Sequence, residues 1–402
     1  MRRLLSFCVL VSAIITLTGC SDEPKSDEVY ADPNAESTTL ETVMTLGEGV
    51  EVKETPKVVL EKFLEYLRNE EFHEARLCVY ELEDNPFIND EMFEYIARRC
   101  TFGWMIGNQD YQSISLKESI KENIATVELN FTKSATDSSN TTYVFTFKLD
   151  ESGDWKVAND YFCCSNALFA TPRGVRFYLG DTEVPTLYKT KSDEAFDYYC
   201  IPLLPSYEYT THIVSSVFGD IKGNMTIPAD IDEDDSLDFK SEYQVPNREI
   251  TDEAFNTISA RIKEIYDGIY SDMASKRPAS ILSRYLSTDT DYQLFATDYE
   301  LGMKLMDSDY NRKITSSIVS PTVVKIVRNK EAKSYIYTDS KIAMNVGFVV
   351  SWKEGDDTKI ESFYTSMLLK YEGEFFIYEA NSNSFTTFKS SQREFENNGE
   401  VW

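Results

Sequence analysis

Histidine is scarce: His73 and His212 are the two in 402 residues. A histidine-based hydrolase or a histidine-rich metal site would have to be built on one of them. His73 lies among Glu70, Glu71 and Glu74, the pattern of a solvated helical face. His212 falls inside a predicted strand, Tyr207 to Phe218. The nucleophile elbow, the phosphate-cradling glycine loop and the H-E-x-x-H pair are missing, and no Cys-x-x-Cys spacing suits zinc. Carboxylate pairs such as Asp356-Asp357 abound because acids abound, and spacing alone gives none of them an acid/base role. The sequence therefore assigns no catalytic, cofactor-binding or metal-ligating residue. Positive charge is also short: 40 Lys and Arg stand against 68 Asp and Glu, a net charge of −28. Such a field repels nucleic acid and anionic headgroups. Long hydrophobic runs are lacking too. The apolar stretch from Leu4 to about Leu17 is shorter than the roughly 20 residues of a membrane-spanning helix.

That short stretch is nevertheless informative. Arg2 and Arg3 precede it, and Leu17-Thr18-Gly19-Cys20 follows. A basic start, an apolar run and small residues before a cleavage point read as a secretory signal peptide over 1–19. Leu-x-Gly-Cys resembles the bacterial lipobox, which implies that Cys20 receives a diacylglycerol and becomes the new N-terminus. The expectation is an exported lipoprotein on the extracytoplasmic face of the cell membrane. Cleavage there removes two arginines and no acid, leaving a charge of −30, so the lipid and not a basic patch would hold the chain to the membrane. Residues 20–53 carry nine acids against Lys25 and Lys53, and read as a disordered tether of roughly 30 Å.

Five cysteines remain after Cys8 and Cys20: Cys78, Cys100, Cys163, Cys164 and Cys200. Export permits disulfides. Cys78 with Cys100, and Cys163 or Cys164 with Cys200, are the candidate pairs; unpaired core cysteines are the alternative.

The folded part reads as α+β. Thr55 is an N-cap with Pro56 in the first turn, and Val59, Phe63 and Leu67 recur every four residues, predicting a helix to about Asn69. Helices over about Phe72–Tyr80 and from Asn89 to near Cys100 follow. The period then drops to two in Val127–Phe131 and Tyr143–Leu149, joined across 134–142 as a hairpin, with a further strand at Trp155–Val157. The same order returns later. Phe255, Ile258, Ile262, Ile265, Ile269 and Met273 define a long helix after Thr251, and shorter helical stretches reach about Met306. Strands are then expected at Thr322–Arg328, Ile342–Trp352, Ile360–Tyr371 and from Gly373. Between these two stretches, segments around Val175–Leu179, Phe196–Pro202, Tyr207–Phe218 and Asn224–Ile227 read as a small all-β sandwich. The expected domains are 54–168, 172–246 and 250–390, with a tail over 391–402. Asp230–Asp235 reads as an exposed loop, with a calcium site as the alternative, although the run lacks the glycine and distal glutamate of an EF-hand loop.

An anchor, a helix-plus-sheet unit, a small sandwich and a second helix-plus-sheet unit together resemble the extracytoplasmic region of TcaA-like cell-envelope proteins. Each α+β unit resembles the NTF2-like cone fold, and the first is also similar to export-associated lipoprotein domains of that superfamily. In place of the zinc ribbon and transmembrane helix usual in TcaA-like proteins, this chain carries a lipobox. The resemblance implies two NTF2-like cones flanking the sandwich, and a role around cell-wall stress without an established reaction.

NTF2-like cones can hold a ligand or an acid/base inside the sheet, as ketosteroid isomerase does. The expected inward sets here are Val127, Leu129, Phe131, Tyr143, Phe145, Phe147 and Leu149, and then Met344, Val346, Phe348, Val350 and Trp352. Almost all are apolar, with Glu128, Asn130, Lys148 and Asn345 on the opposite faces. Tyr198-Tyr199 and Tyr207/Tyr209 are candidates for a glycan- or peptide-binding face, or for packing across a sheet. The leading expectation is a non-catalytic, lipid-anchored protein that binds wall material or another envelope protein. A small-molecule carrier or enzyme using a cone cavity is the alternative, and a structural spacer a third reading.

Overall fold

The computed structural model describes residues 52–132, 140–230, 242–306, 318–354, 356–380 and 385. The signal peptide, Cys20, nearly all of the tether, most of the 134–142 turn, residues 231–235 of the acidic run and the tail over 391–402 lie outside the described residues. The described chain is mixed α+β, with several antiparallel sheets and few helices. Among the described residues no helix is long and apolar enough to cross a membrane.

Helix α1 (Pro56–Arg68) starts where local chemistry dictates: the Thr55 hydroxyl accepts from Val58 N–H, and Val59, Leu60, Phe63, Leu64 and Leu67 form its buried stripe. α2 (Phe72–Leu77) and α3 (Asp90–Ala97) follow, the latter capped by Asn89, whose Oδ1 accepts from Met92 N–H at 2.8 Å. These helices pack on a sheet ordered β1-β2-β3-β4: β1 (Gln112–Lys121), β2 (Ile124–Thr132), β3 (Asn140–Leu149) and β4 (Trp155–Val157). Val127, Leu129, Phe131, Phe145 and Phe147 are buried as the period-two pattern requires, whereas Tyr143 and Leu149 are only half-buried. Strand β1 is not foreseen from the sequence: Ile114, Leu116 and Ile120 share one parity, but Glu118 interrupts the row and polar residues fill the rest.

The middle of the chain forms two sheets. One is ordered β5-β9-β8, from β5 (Cys163–Pro172), β8 (Lys189–Ser192) and β9 (Phe196–Pro205). The other is ordered β11-β10-β6-β7, from β6 (Arg176–Leu179), β7 (Thr182–Glu183), β10 (Glu208–Ser215) and β11 (Gly219–Thr226). Phe169, Tyr199 and Ile201 from the first share a core with Phe177, Leu179 and Tyr209 from the second. Strand β10 serves two cores on one face: Tyr209 joins this one, and Ile213 joins the C-terminal one.

The C-terminal part opens with α4 (Asp252–Ala274), capped by Thr251, whose hydroxyl accepts from Ala254 N–H. α5 (Tyr292–Met306) follows. The sheet is ordered β12-β14-β15-β16, from β12 (Ile318–Arg328), β14 (Lys341–Glu354), β15 (Asp357–Tyr371) and β16 (Phe375–Ala380), with β13 (Tyr335–Thr338) also on β14. Met344, Val346, Phe348, Val350 and Trp352 all face the α4 side and are buried.

A strap over 242–250 stitches the middle to the C-terminal part. Gln244 exchanges hydrogen bonds with Leu168 and Ala170, and Ile336 N–H donates to the Arg248 carbonyl at 2.9 Å. Asp339 adds a second tie, accepting from Ser216 N–H at 2.8 Å and from the Ser216 hydroxyl at 2.6 Å.

The proposed disulfides do not form: all five cysteines are thiols. Cys200 sits opposite Leu168 in the β5-β9 register, while Cys164 sits opposite Leu204, so four residues of extended strand separate the candidates. Four residues span roughly 13 Å, far beyond the Cα separation a disulfide tolerates. Cys100 instead donates to the Tyr161 carbonyl at 3.1 Å, and burial pushes the Cys78 thiol up to about 11.

Candidate binding face

The tyrosines singled out in the sequence divide by strand alternation. On β9, Tyr199 points into the middle core, and Phe196 and Tyr198 lie half-exposed on the other side. On β10, Tyr209 is buried and donates its hydroxyl to the Phe87 carbonyl at 3.2 Å, so it is a core residue. Tyr207 is half-buried and meets the exposed Tyr95 edge-on at 5.0 Å, with Arg99 lying 4.4 Å over the Tyr95 ring.

Tyr198 is held from below. Asp193, in the β8-β9 turn, accepts from the Tyr198 hydroxyl at 2.7 Å, from Ala195 N–H at 2.8 Å and from Phe196 N–H at 2.7 Å. These three donors, Tyr198 foremost, hold the Asp193 carboxyl below its ordinary value, and the same bond raises the Tyr198 hydroxyl. Tyr243, from the strap, stands edge-on to Tyr198 at 4.8 Å and 70°, and is 36% exposed. The Lys191 ammonium lies 4.5 Å from the Tyr198 centroid and 5.4 Å from that of Tyr243. On the other side Phe196 lies 6.2 Å from Tyr198. Arg248 then bridges Phe196 and Tyr335, its guanidinium carbon 5.1 and 4.2 Å from the two centroids. Burial lowers the Arg248 pKa, and Tyr335 and Tyr337 push it back.

The result is a row in the order Tyr243, Tyr198, Phe196, Arg248, Tyr335, crossing from the middle sheets to the C-terminal part. Aromatic faces flanked by lysine, arginine and a fixed carboxylate can stack on apolar ring faces and hydrogen-bond the groups around them. Tyr198 was legible as a candidate; Tyr243, Arg248 and Tyr335 were not, because they lie 45 to 137 residues away in sequence and join the row only through tertiary contacts of the strap.

Elsewhere the structure adds polar groups that the strand alternation did not announce. Tyr266 and Tyr270 on α4 are buried against the C-terminal sheet, with Tyr266 4.6 Å from the Phe348 ring. Asp298 on α5, 5% exposed, accepts from Phe385 N–H at 2.6 Å. Asp272 pairs with Arg277 at 3.2 Å and accepts from the Tyr285 hydroxyl at 2.8 Å. Among the helices and strands of the C-terminal part, the buried polar groups come from the helices facing the sheet, apart from Thr338 on β13 and Thr365 on β15, opposite Val346. His73 meets Asp90 at 3.1 Å, and His212 meets Asp220 at 3.3 Å. Asp230 accepts from the Ser165 hydroxyl at 2.6 Å and ties down β5. Among the described residues no cluster of three His, Cys, Asp or Glu residues is placed to hold a metal ion.

No family model matches the chain, and no curated protein is similar to it in sequence. Among the solved structures that match, an NTF2-like protein involved in plasmid conjugation is similar at a TM-score of 0.20 and 8% identity, over 80% of this chain and 93% of that one. A likeness that slight carries no argument about role.

Proposed function

We propose that the chain is a non-catalytic, lipid-anchored protein on the extracytoplasmic face of a bacterial cell envelope, and that it binds wall polysaccharide through the Tyr243–Tyr335 row. In this reading Cys20 carries the lipid and two NTF2-like cones flank a small β-sandwich. The observation that carries the binding role is the row itself. Five side chains, spaced about one ring apart and anchored on hydrogen-bonded backbone, offer an extended polymer several stacking platforms in sequence. The net charge of −28 argues for a ligand recognised by stacking and local hydrogen bonds over a polyanion drawn in by long-range attraction.

Sedimentation of the purified chain with isolated cell wall tests this. Wild type co-sediments, and Tyr243→Ala and Tyr198→Ala each weaken binding by about fivefold or more, as truncating a tyrosine that anchors an interface does. Equal sedimentation of both variants and wild type would remove the row from the binding role. Cys20→Ser is expected to release the protein from the membrane fraction.

A further inference from the structure

Arg68 ends α1 in an unusual state for a chain with 68 acids and 40 bases. Among the described residues no carboxylate pairs with it, and the acid two residues on, Glu70, is engaged by Arg98 at 3.3 Å. Arg68 is half-buried, and its Nε is closed off without a hydrogen-bond partner. The Tyr111 hydroxyl, on a residue only 3% exposed, is likewise buried without one. The two belong to one cluster: the Arg68 guanidinium carbon lies 4.3 Å over the Tyr111 ring. Burial pushes the Tyr111 hydroxyl up and the neighbouring guanidinium pulls it back.

Around them stands an aromatic wall. Trp104 stacks on Phe131 at 5.0 Å and 27°, and Phe131 on Tyr143 at 5.4 Å and 17°. Tyr111 meets Trp104 edge-on at 5.7 Å. Trp104 and Tyr143 are part-exposed, so the wall reaches the surface. The backbone here is pinned, with Gln109 Nε2 donating to the Arg68 carbonyl at 3.0 Å and the Tyr143 hydroxyl donating to the Thr101 carbonyl at 2.9 Å.

A guanidinium Nε–H and a phenol hydroxyl buried without an acceptor call for one. A guanidinium fork and a phenol are donors, and a carboxylate matches them with two acceptor oxygens. We propose that Arg68 and Tyr111 form a binding site for the carboxylate of a small organic acid, whose apolar body lies against Trp104 and Tyr143. The negative field of the whole chain does not prevent this, because at physiological ionic strength it decays over roughly 8 Å while the guanidinium contact is direct. The site is built from other elements than the tyrosine row and stands independently of the wall-binding reading.

Trp104 provides the readout. Benzoate and N-acetyl-phenylalanine are titrated against the full chain and followed by tryptophan emission, with Trp104→Phe to locate the signal and benzyl alcohol as the uncharged control. The expected result is a saturable response to the two acids, absent in Trp104→Phe, with benzyl alcohol and Arg68→Met each weaker by about tenfold or more. Arg68→Met also separates the site from mere packing: it keeps an apolar side chain against the Tyr111 ring and removes the buried Nε–H that lacks an acceptor, so thermal stability should stay about equal. If Arg68→Met does not fold, Arg68→Lys, which keeps the charge and loses the fork, is held to the same criterion. Stronger binding of N-acetyl-phenylalanine than of benzoate identifies a peptide end as the ligand, and the reverse a free aromatic acid. A wild-type chain with no saturable response to either acid, or with equal response to benzyl alcohol, overturns the proposal; so does an Arg68 variant that binds as wild type does.

Discussion

Asp197 shows how a single buried charge is made tolerable. It is 2% exposed and accepts from Gly174 N–H at 3.0 Å and from the Ser192 hydroxyl at 2.6 Å, with the Lys189 ammonium at 2.8 Å. Burial pushes its carboxyl up, but Gly174, Lys189 and Ser192 together outweigh that and leave the pKa below its ordinary value. A carboxyl depressed in the folded state contributes stability that is fully present above the unfolded pKa of about 3.9, and that is lost as pH falls through the folded value. Asp197→Asn should therefore cost about 1–3 kcal/mol at pH 7. The gap to wild type should shrink below about pH 4. Urea melts at pH 7 and pH 3 measure this, and a gap that stays constant would contradict it.

At the scale of elements, α4 carries a glycine where helix propensity disfavours one. Gly268 sits mid-helix, and a Cβ there would lie 2.6 Å from the Tyr285 hydroxyl oxygen and 2.9 Å from two of its ring carbons. Tyr285 cannot simply retreat, because its hydroxyl is bonded to the buried Asp272. Gly268→Ala gains about 1 kcal/mol of propensity but overpacks this contact, for a net loss of about 1–2 kcal/mol. Chemical denaturation of Gly268→Ala beside the double variant Gly268→Ala/Tyr285→Phe checks the cause, since freeing the ring from Asp272 should recover part of the loss. The local signals that placed the helices were the legible ones. Thr55 caps as read, and Asn89 and Thr251 cap the helices read to start after them, because a cap hydrogen bond spans three residues and needs no tertiary partner. Strands β1, β5 and β13 were not legible. In β1 Glu118 breaks the Ile114, Leu116, Ile120 row, β13 has only four residues, and β5 is defined by its pairing with β9 some 30 residues later.

At the scale of the molecule, the described parts are interlocked. Val175, Ile213 and Ile221 from the middle sheets lie in the same core as Ile262, Phe348 and Ile377, and Phe87 and Met92 from the N-terminal part pack on the middle core. Phe218 and Phe375 stack across the middle and C-terminal parts at 5.9 Å and 21°. A shared core couples the parts in unfolding, so calorimetry should show the middle and C-terminal parts melting together. Asp339→Ala, which removes two hydrogen bonds to Ser216, should cost about 1–3 kcal/mol. A variant of unchanged stability would show that the tie is incidental.

By itself the sequence determined what depends on neighbours within a turn or along a strand. Helix starts, the alternation that buries Phe145 and Phe147, the α+β order of elements and the acidic net charge are all of that kind. Tertiary structure decided what depends on groups distant in the chain. Alternation on β9 separates Tyr198 from Tyr199 but cannot say which faces the core; the sheet packed beneath decides it. The strap brings Tyr243 to Tyr198 and Arg248 to Phe196, and the β5-β9 register keeps Cys200 apart from Cys163 and Cys164. That Arg68 Nε and the Tyr111 hydroxyl are buried together without a hydrogen-bond partner among the described residues is likewise invisible in a list of residues, because 43 positions separate them in the chain.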